Sequence, residues 1–135
     1  MKLAKQDEFP QTWNELFEDS LTEWFETELD YSTDFINKIF DSGQGFMTHI
    51  GLKHSELVRQ YLSGKMPKEH SVKIDAIRKN LKTHPRIIVL TADFNEFSIL
   101  DGARRTVAFI LEKKPIPVYI GRRDEFSSLP NFGKN

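Results

Sequence analysis

The chain has 135 residues, of which 39% are hydrophobic and 29% are charged, a composition typical of one globular domain with a single core. It contains no cysteine, which excludes disulfides, thiol catalysis and cysteine-ligated metal sites and suits a reducing compartment. No apolar run approaches the length of a membrane span, and the N-terminus lacks a signal pattern. A cytoplasmic location without membrane contact is therefore expected.

The formal net charge of −1 hides an asymmetry along the chain. Through Phe46 there are three basic and eleven acidic residues, whereas from Met47 onward there are sixteen basic and nine acidic residues. This division predicts an acidic N-terminal helical segment over 1–46, a basic domain over 47–121 and a polar C-terminal tail over 122–135. Either the basic part binds an anionic partner that the acidic part masks, or the charges are an ordinary solvated surface.

The N-terminal segment carries the clearest helical pattern, which predicts a helix over Thr12–Asp30. Thr12 and Glu15 have the spacing of a capping box, and the apolar residues that follow recur at helical intervals between acidic ones. Four aromatic residues share the predicted apolar face: Trp13, Phe17, Trp24 and Phe25. Such a face either docks onto the core of the same domain or forms an interface with a protein partner or a second copy of the chain.

Three shorter helices are predicted next along the chain. One spans Ser32–Phe40 with Ser32 or Thr33 as its N-cap, one spans Ser55–Ser63 between Ser55 as N-cap and Gly64, and one spans Ser71–Leu81. The glycine-containing stretch after the first of them, at 41–45, is interpreted as a hinge and as the boundary between segments.

The remaining elements form the stretch 86–121. Strands are predicted at Ile87–Leu90, Phe97–Leu100 and Pro115–Ile120, with a helix between the last two that starts after a sharp corner at Asp101 and Gly102. The fold class is therefore α+β with a small mixed sheet.

That corner has the chemistry of an anion site. The backbone amides after Gly102 have no intrahelical partner, and the helix dipole adds positive charge where they lie. Arg104 and Arg105 supply guanidinium groups suited to phosphate, and Thr106 supplies a hydroxyl. Because adjacent helical residues cannot both face the same way, one arginine of the pair is expected to be structural. Asp101 is either the N-cap of the helix or a functional carboxylate that orients an arginine, holds Mg2+ or accepts a proton.

At these residues the chain resembles the ParB/sulfiredoxin-like superfamily, which includes the N-terminal domains of ParB partition proteins, sulfiredoxins and free serine kinases. The resemblance covers roughly Ser55–Gly121 and rests on the order helix, strand, strand, helix, strand and on Gly102-Ala103-Arg104-Arg105, which matches a Gly-x-[His/Arg]-Arg motif. It implies a sheet of ParB/sulfiredoxin-like type and a nucleotide-phosphate site. Ala103 stands where sulfiredoxins carry cysteine, which excludes their repair chemistry.

The resemblance and the residues together lead to two hypotheses. The first is a nucleotide-binding protein, perhaps better described as a phosphotransferase or phosphohydrolase if it turns over, with a nucleoside triphosphate (ATP or CTP) and Mg2+ as cofactors and a small molecule as substrate. Its predicted phosphate-binding residues are the consecutive stretch Gly102, Ala103, Arg104, Arg105 and Thr106. Its predicted catalytic residues are Asp101 and Glu96, with Asp93 and Glu56 as further acidic candidates.

The second hypothesis is a non-catalytic module that binds a nucleotide or nucleic acid and contacts a protein partner through its aromatic N-terminal helix. Nucleic acid is the less favoured ligand, because the overall charge is close to neutral. The histidines have no spacing typical of a metal site, so no metal ligands are predicted among His49, His54, His70 and His84. Of these, His54 and His84 are expected nearest to the edges of the site.

Overall fold

The structure is a computed structural model that describes residues 1–41 and 53–123, in which helices pack on a six-stranded mixed sheet. The strands are β1 (Lys2–Leu3), β2 (Glu23–Leu29), β3 (Ile39–Asp41), β4 (Ile87–Thr91), β5 (Phe97–Asp101) and β6 (Ile116–Arg122). Their order across the sheet is β1-β2-β6-β4-β5-β3. The pairs β6/β4 and β5/β3 are parallel and the other pairs are antiparallel. The predicted combination of helices with a mixed sheet is thus confirmed.

One face of the sheet is covered by the longer helices. The α-helices are α1 (Asn14–Phe17), α2 (Thr33–Ile36), α3 (His54–Leu62), α4 (Lys68–Lys79) and α5 (Ala103–Leu111). Helix α5 contacts both α3 and α4, and together they bury an aliphatic cluster that includes Ile87 and Val89 of β4 and Val118 and Ile120 of β6. None of the helices in the described ranges is long and apolar enough to cross a membrane.

The other face of the sheet carries an aromatic cluster contributed largely by the N-terminal residues. The ring of Phe9 lies 4.9 Å from that of Trp24 and 5.0 Å from that of Tyr119, over Ile88 and Leu90 of β4. Every residue of β4 is buried, because the strand alternates its side chains between these two clusters. This double burial explains why the strand is recognisable in the sequence as a continuous apolar run.

The prediction of one helix over Thr12–Asp30 is wrong for the second half of that range. Helix α1 ends at Phe17, and Glu23–Leu29 is a strand that pairs antiparallel with β6 along its whole length. The predicted capping box is also absent, since the N-cap of α1 is Trp13 rather than Thr12, and the Trp13 side chain makes no capping hydrogen bond. The physical reason is that β2 completes the hydrogen bonding of β6, which outweighs the local preference of the sequence for a helix.

The four aromatic residues therefore do not share one helical face. Trp13 and Phe17 pack beside the buried Trp24 in the aromatic cluster, whereas Phe25, the next residue of β2, points to the opposite face of the sheet. Three of the four thus dock onto the sheet of the same chain. A partner interface built from all four aromatic residues would need one surface that carries them all, and the fold does not provide such a surface.

The helix predicted over Ser32–Phe40 is shorter than expected. Ser32 is its N-cap as predicted, and its hydroxyl accepts a hydrogen bond from the Phe35 amide at 3.4 Å. The helix ends at Ile36, and the chain continues as the edge strand β3, parallel to β5. The hinge and boundary predicted just beyond lie almost entirely outside the described residues. Strands from both sides of them belong to the same sheet.

The remaining helices and strands are confirmed with shifted ends. Helix α3 begins at His54, and its N-cap is Lys53 rather than Ser55, while Gly64 follows the helix with a φ of +75°. Helix α4 begins at Lys68, earlier than predicted, and ends before a separate 3-10 turn at Leu81–Thr83.

The predicted C-terminal tail begins within the fold. Strand β6 extends to Arg122, and the next residue, Arg123, is buried and forms an ion pair with Asp19. This pair joins the basic part of the chain to the acidic N-terminal segment. The rest of the predicted tail, 124–135, lies outside the described residues.

Candidate anion-binding site at the start of helix α5

The corner between β5 and α5 is formed by Gly102. Its φ of +107° lies in a region that L-residues rarely adopt, and it is the N-cap of α5. A Cβ atom added there would lie only 2.6 Å from Cγ1 of Ile87 and 3.0 Å from Nη2 of Arg105. Both the backbone conformation and the packing therefore require glycine at this position.

Asp101 is not the N-cap, so that interpretation is wrong: Gly102 is the N-cap, and it has no side chain with which to cap α5. One carboxylate oxygen of Asp101 instead accepts a hydrogen bond from Nε1 of Trp13 at 3.1 Å. The other lies 3.3 Å from Nη2 of Arg105. Of the functions considered for the Asp101 carboxylate, the geometry is that of a group that orients an arginine, Arg105.

Arg105 is the structural member of the arginine pair. Its Nη1 donates to the carbonyl oxygens of Pro85 at 2.6 Å and Arg86 at 3.3 Å, and its side chain is only 12% exposed. Burial lowers the pKa of the Arg105 guanidinium, and the charge of Asp101 opposes that shift. The side chain thus ties the chain segment before β4 to the corner, and its donors are engaged by acceptors of the protein itself.

Arg104 faces a different neighbour. It is half-buried, and its Nη1 lies 3.4 Å from Nδ1 of His70 on α4. Burial, and then the charge of Arg104, lower the pKa of His70. The expectation that the two arginines face apart is confirmed: Arg104 lies beside a histidine of α4, whereas Arg105 lies beside the Asp101 carboxylate.

Thr106 and Ala103 are buried beneath the first turn of α5. The Thr106 hydroxyl donates to the carbonyl of Gly102 at 2.8 Å, so its proton is used within the helix rather than offered to a ligand. The carbonyl of Ala103 lies 3.2 Å from Nε2 of His54, which is fully buried. Burial lowers the pKa of His54 to about 4, which keeps the ring neutral and allows Nε2 to donate to that carbonyl.

The other acidic candidates do not reach the corner. Glu96 and Asp93 lie in the turn that precedes β5, so the length of the strand, roughly 13 Å, separates them from Asp101. Asp93 accepts hydrogen bonds from the amides of Asn95 and Glu96, which lower its pKa and stabilise the turn. Glu56 pairs with Arg59 on α3.

The residues at the corner do not fit a dedicated metal site. No three His, Asp or Glu side chains converge anywhere in the described ranges. Both oxygens of Asp101 are already engaged, by Trp13 and by Arg105. Mg2+ prefers several oxygen ligands in octahedral geometry, which a single shared carboxylate does not supply.

Sequence reasoning missed two members of the corner, Trp13 and His70. Trp13 was predicted on the apolar face of a helix, either docked on the core or at a partner interface, and His70 was not among the histidines expected near the site. Neither carried a local signal, because each meets the corner through a contact between residues far apart in the chain. Of the two histidines expected near the site, His54 contacts the corner, while His84 borders a separate cleft described below. His49 lies outside the described residues.

The fold and the corner define a mixed α/β protein in which a helix that starts after a glycine N-cap carries two arginines in its first turn. Comparison with known proteins finds no matching family model, no similar curated protein and no similar solved structure.

Proposed function

We propose that this chain is a nucleotide-binding protein that holds phosphate at the start of α5. The observation that carries the proposal is the N-terminus of α5, a nine-residue helix whose N-cap is a left-handed glycine and therefore has no side chain that could cap the first-turn amides. Such a terminus directs amide donors and the positive end of the helix dipole outward. Arg104, in the first turn, adds a guanidinium group that suits a phosphate oxygen pair.

The neighbouring contacts support a site that is organised before a ligand arrives. Trp13 orients Asp101, Asp101 orients Arg105, and Arg105 holds the backbone of Pro85 and Arg86. A network of this kind reduces the entropy that binding would otherwise cost. In the proposal Arg104 and the first-turn amides bind phosphate, while Arg105 positions them.

The finer assignment of the fold, to the ParB/sulfiredoxin-like type, is part of the same proposal. It is supported by the motif Gly102–Arg105 and by the order α4, β4, β5, α5, β6. ATP or CTP is the expected ligand class. The proposal favours binding over phosphoryl transfer, because the contacts of Asp101 with Trp13 and Arg105 suit a positioning carboxylate better than a catalytic one. No step in it depends on Mg2+.

A thermal-shift titration tests this function. ATP, CTP, GTP and ADP, each with and without Mg2+, are added to the wild type and to Arg104→Ala. A ligand that binds the folded state at about 100 times its Kd stabilises it by about 2.7 kcal/mol, which raises the melting temperature. We expect at least one nucleotide to do so in the wild type, and the effect to disappear in Arg104→Ala.

The matched control is Arg59→Ala, which removes an arginine whose side chain is 74% exposed and which lies on α3. It should retain the full nucleotide effect. The absence of stabilisation by every nucleotide, or an equal loss in both variants, would contradict the proposal. Incubation with a binding nucleotide, followed by chromatography of the nucleotide pool, then separates a binding protein from an enzyme.

A further inference from the structure

A cleft of about 680 Å³ lies near the opposite end of α5 from the corner. It is bounded by the end of α4, the 3-10 turn at Leu81–Thr83, the end of α5 and the start of β6. Apolar side chains form part of its lining: Leu81, Phe109, Pro115 and Pro117. The volume is within the range of small-molecule sites, and roughly 13 Å of helix separates this cleft from Gly102.

Of the residues that the structure describes, five cationic and two acidic side chains also line the cleft. Two of the cations are engaged by the protein. Arg78 pairs with Glu112 at 2.6 Å, and Arg86 pairs with Glu26 at 3.3 Å while donating to the carbonyl of Thr27.

The other three cations are exposed lysines, Lys79, Lys82 and Lys114. Within the described parts of the chain, none of the three has an acidic partner within ion-pair distance. Their charge is therefore available to a ligand. Among the described lining residues, the exposed Glu28 is the only carboxylate that does not pair with an arginine there.

This combination defines the chemistry of a ligand. Ammonium groups on flexible stems suit a phosphate, which they approach as point charges. The apolar lining suits a planar or apolar body, and the Glu28 carboxylate can accept hydrogen bonds from hydroxyl or amino groups. We propose that the cleft binds a small organic phosphate of the nucleoside monophosphate class, at a site separate from the corner. The proposal does not rest on nucleotide binding at the start of α5.

The test is a titration of the uniformly 15N-labelled chain followed by two-dimensional NMR, with AMP, adenosine and inorganic phosphate as separate ligands. We expect AMP to shift the amide signals of residues 79–84 and 112–114. Adenosine and inorganic phosphate should each shift them at concentrations about tenfold higher or more, since each offers only half of the interactions. Signals of residues 102–105 report the corner independently.

The variant is Lys79→Gln, Lys82→Gln and Lys114→Gln combined, which we expect to weaken AMP binding in the cleft about tenfold. The matched control is Lys5→Gln, Lys38→Gln and Lys65→Gln combined, which removes the same charge from exposed positions outside the cleft. It should leave the affinity unchanged, and a similar loss in both variants would reduce the effect to the net charge of the molecule.

Three results overturn the proposal directly. The first is no AMP-dependent shift at residues 79–84, whether or not the corner responds. The second is inorganic phosphate as effective as AMP, since the apolar lining would then contribute nothing. The third is a single-stranded oligonucleotide that binds the same amides far more tightly than AMP, which would make the cleft part of a nucleic-acid surface.

Discussion

The two ends of helix α5 use positive charge in opposite ways. At the N-terminal end, Arg105 is held by Asp101 and by two backbone carbonyls, so its charge organises the protein. At the C-terminal end, Lys79, Lys82 and Lys114 surround a cleft and are exposed. Side chains of equal formal charge therefore differ in their availability to a ligand according to whether tertiary contacts already engage them.

The backbone repeats the contrast. Both ends of α5 have a residue with positive φ, Gly102 at +107° and Lys113 at +55°. At the C-terminal end the amides of Lys113 and Lys114 donate to the carbonyls of Ile110 and Phe109, each at 3.1 Å, which is a Schellman motif closed without glycine. The N-terminal end is crowded around its glycine, whereas the C-terminal end tolerates a long side chain.

The largest effect is expected from Gly102→Ala. Alanine would adopt an unfavourable φ, and its Cβ would collide with Ile87. Together these costs should lower the unfolding free energy by about 4 kcal/mol. Urea denaturation measures it. The matched control is Gly64→Ala, where φ is +75° but no atom lies within 4 Å of the new Cβ, so only about 1–2 kcal/mol should be lost. Equal losses in the two variants would show that packing at the corner contributes nothing.

A second test measures the pH dependence of stability that is due to His54, which contacts the N-terminal end of α5. Because burial lowers the pKa of His54 to about 4, below its value of about 6.5 in the unfolded chain, the unfolded state binds the additional proton between these values. The stability due to the neutral ring is complete above about pH 6.5 and decreases by about 3 kcal/mol as the pH falls to 4. Urea denaturation across this range should show the decrease in the wild type.

The control for that measurement is His54→Leu, in which residue 54 cannot take up a proton. Its stability curve should be flatter than that of the wild type between pH 6.5 and 4. Parallel curves would mean that His54 does not contribute to the acid sensitivity of the fold.

The third test separates the two adjacent arginines. Arg105→Ala should reduce the unfolding free energy by about 2 kcal/mol, because it leaves a partly buried carboxylate and two carbonyls without their donor. Arg104→Ala should cost less stability and remove nucleotide binding instead. Chemical denaturation and the nucleotide titration of both variants measure the two quantities. The division of roles between the arginines would be wrong if Arg104→Ala were the more destabilising.

The smallest effect is expected at the C-terminal end. Lys113→Gly should raise the unfolding free energy by about 0.5 kcal/mol, since relief of the left-handed strain slightly exceeds the entropy that glycine adds to the unfolded chain. A thermal melt of the variant beside Lys65→Gly, which removes an exposed lysine elsewhere, measures the difference. A loss of stability at Lys113 would contradict the view that this end of the helix is strained.

The stretch 86–121 could be predicted from the sequence because its signals are local. The buried strand β4 is a continuous apolar run, and Gly102 marks a corner that few other residues could form. The strand β2 could not be predicted in the same way. Its apolar residues continue the helical spacing of α1, and it is a strand only because β6 supplies its hydrogen bonds from the far end of the chain.

The candidate site divides along the same line. The motif Gly102–Arg105 and the helix start at a glycine follow from neighbouring residues, so the sequence alone determined the position of the proposed anion site. Contacts with distant segments decided that Arg105 is the arginine held by backbone carbonyls and that Trp13 and His70 belong to the corner. Backbone conformation depends on residues adjacent in the chain and can therefore be predicted from the sequence. Whether a charged side chain is paired depends instead on which distant acceptors the fold brings to it.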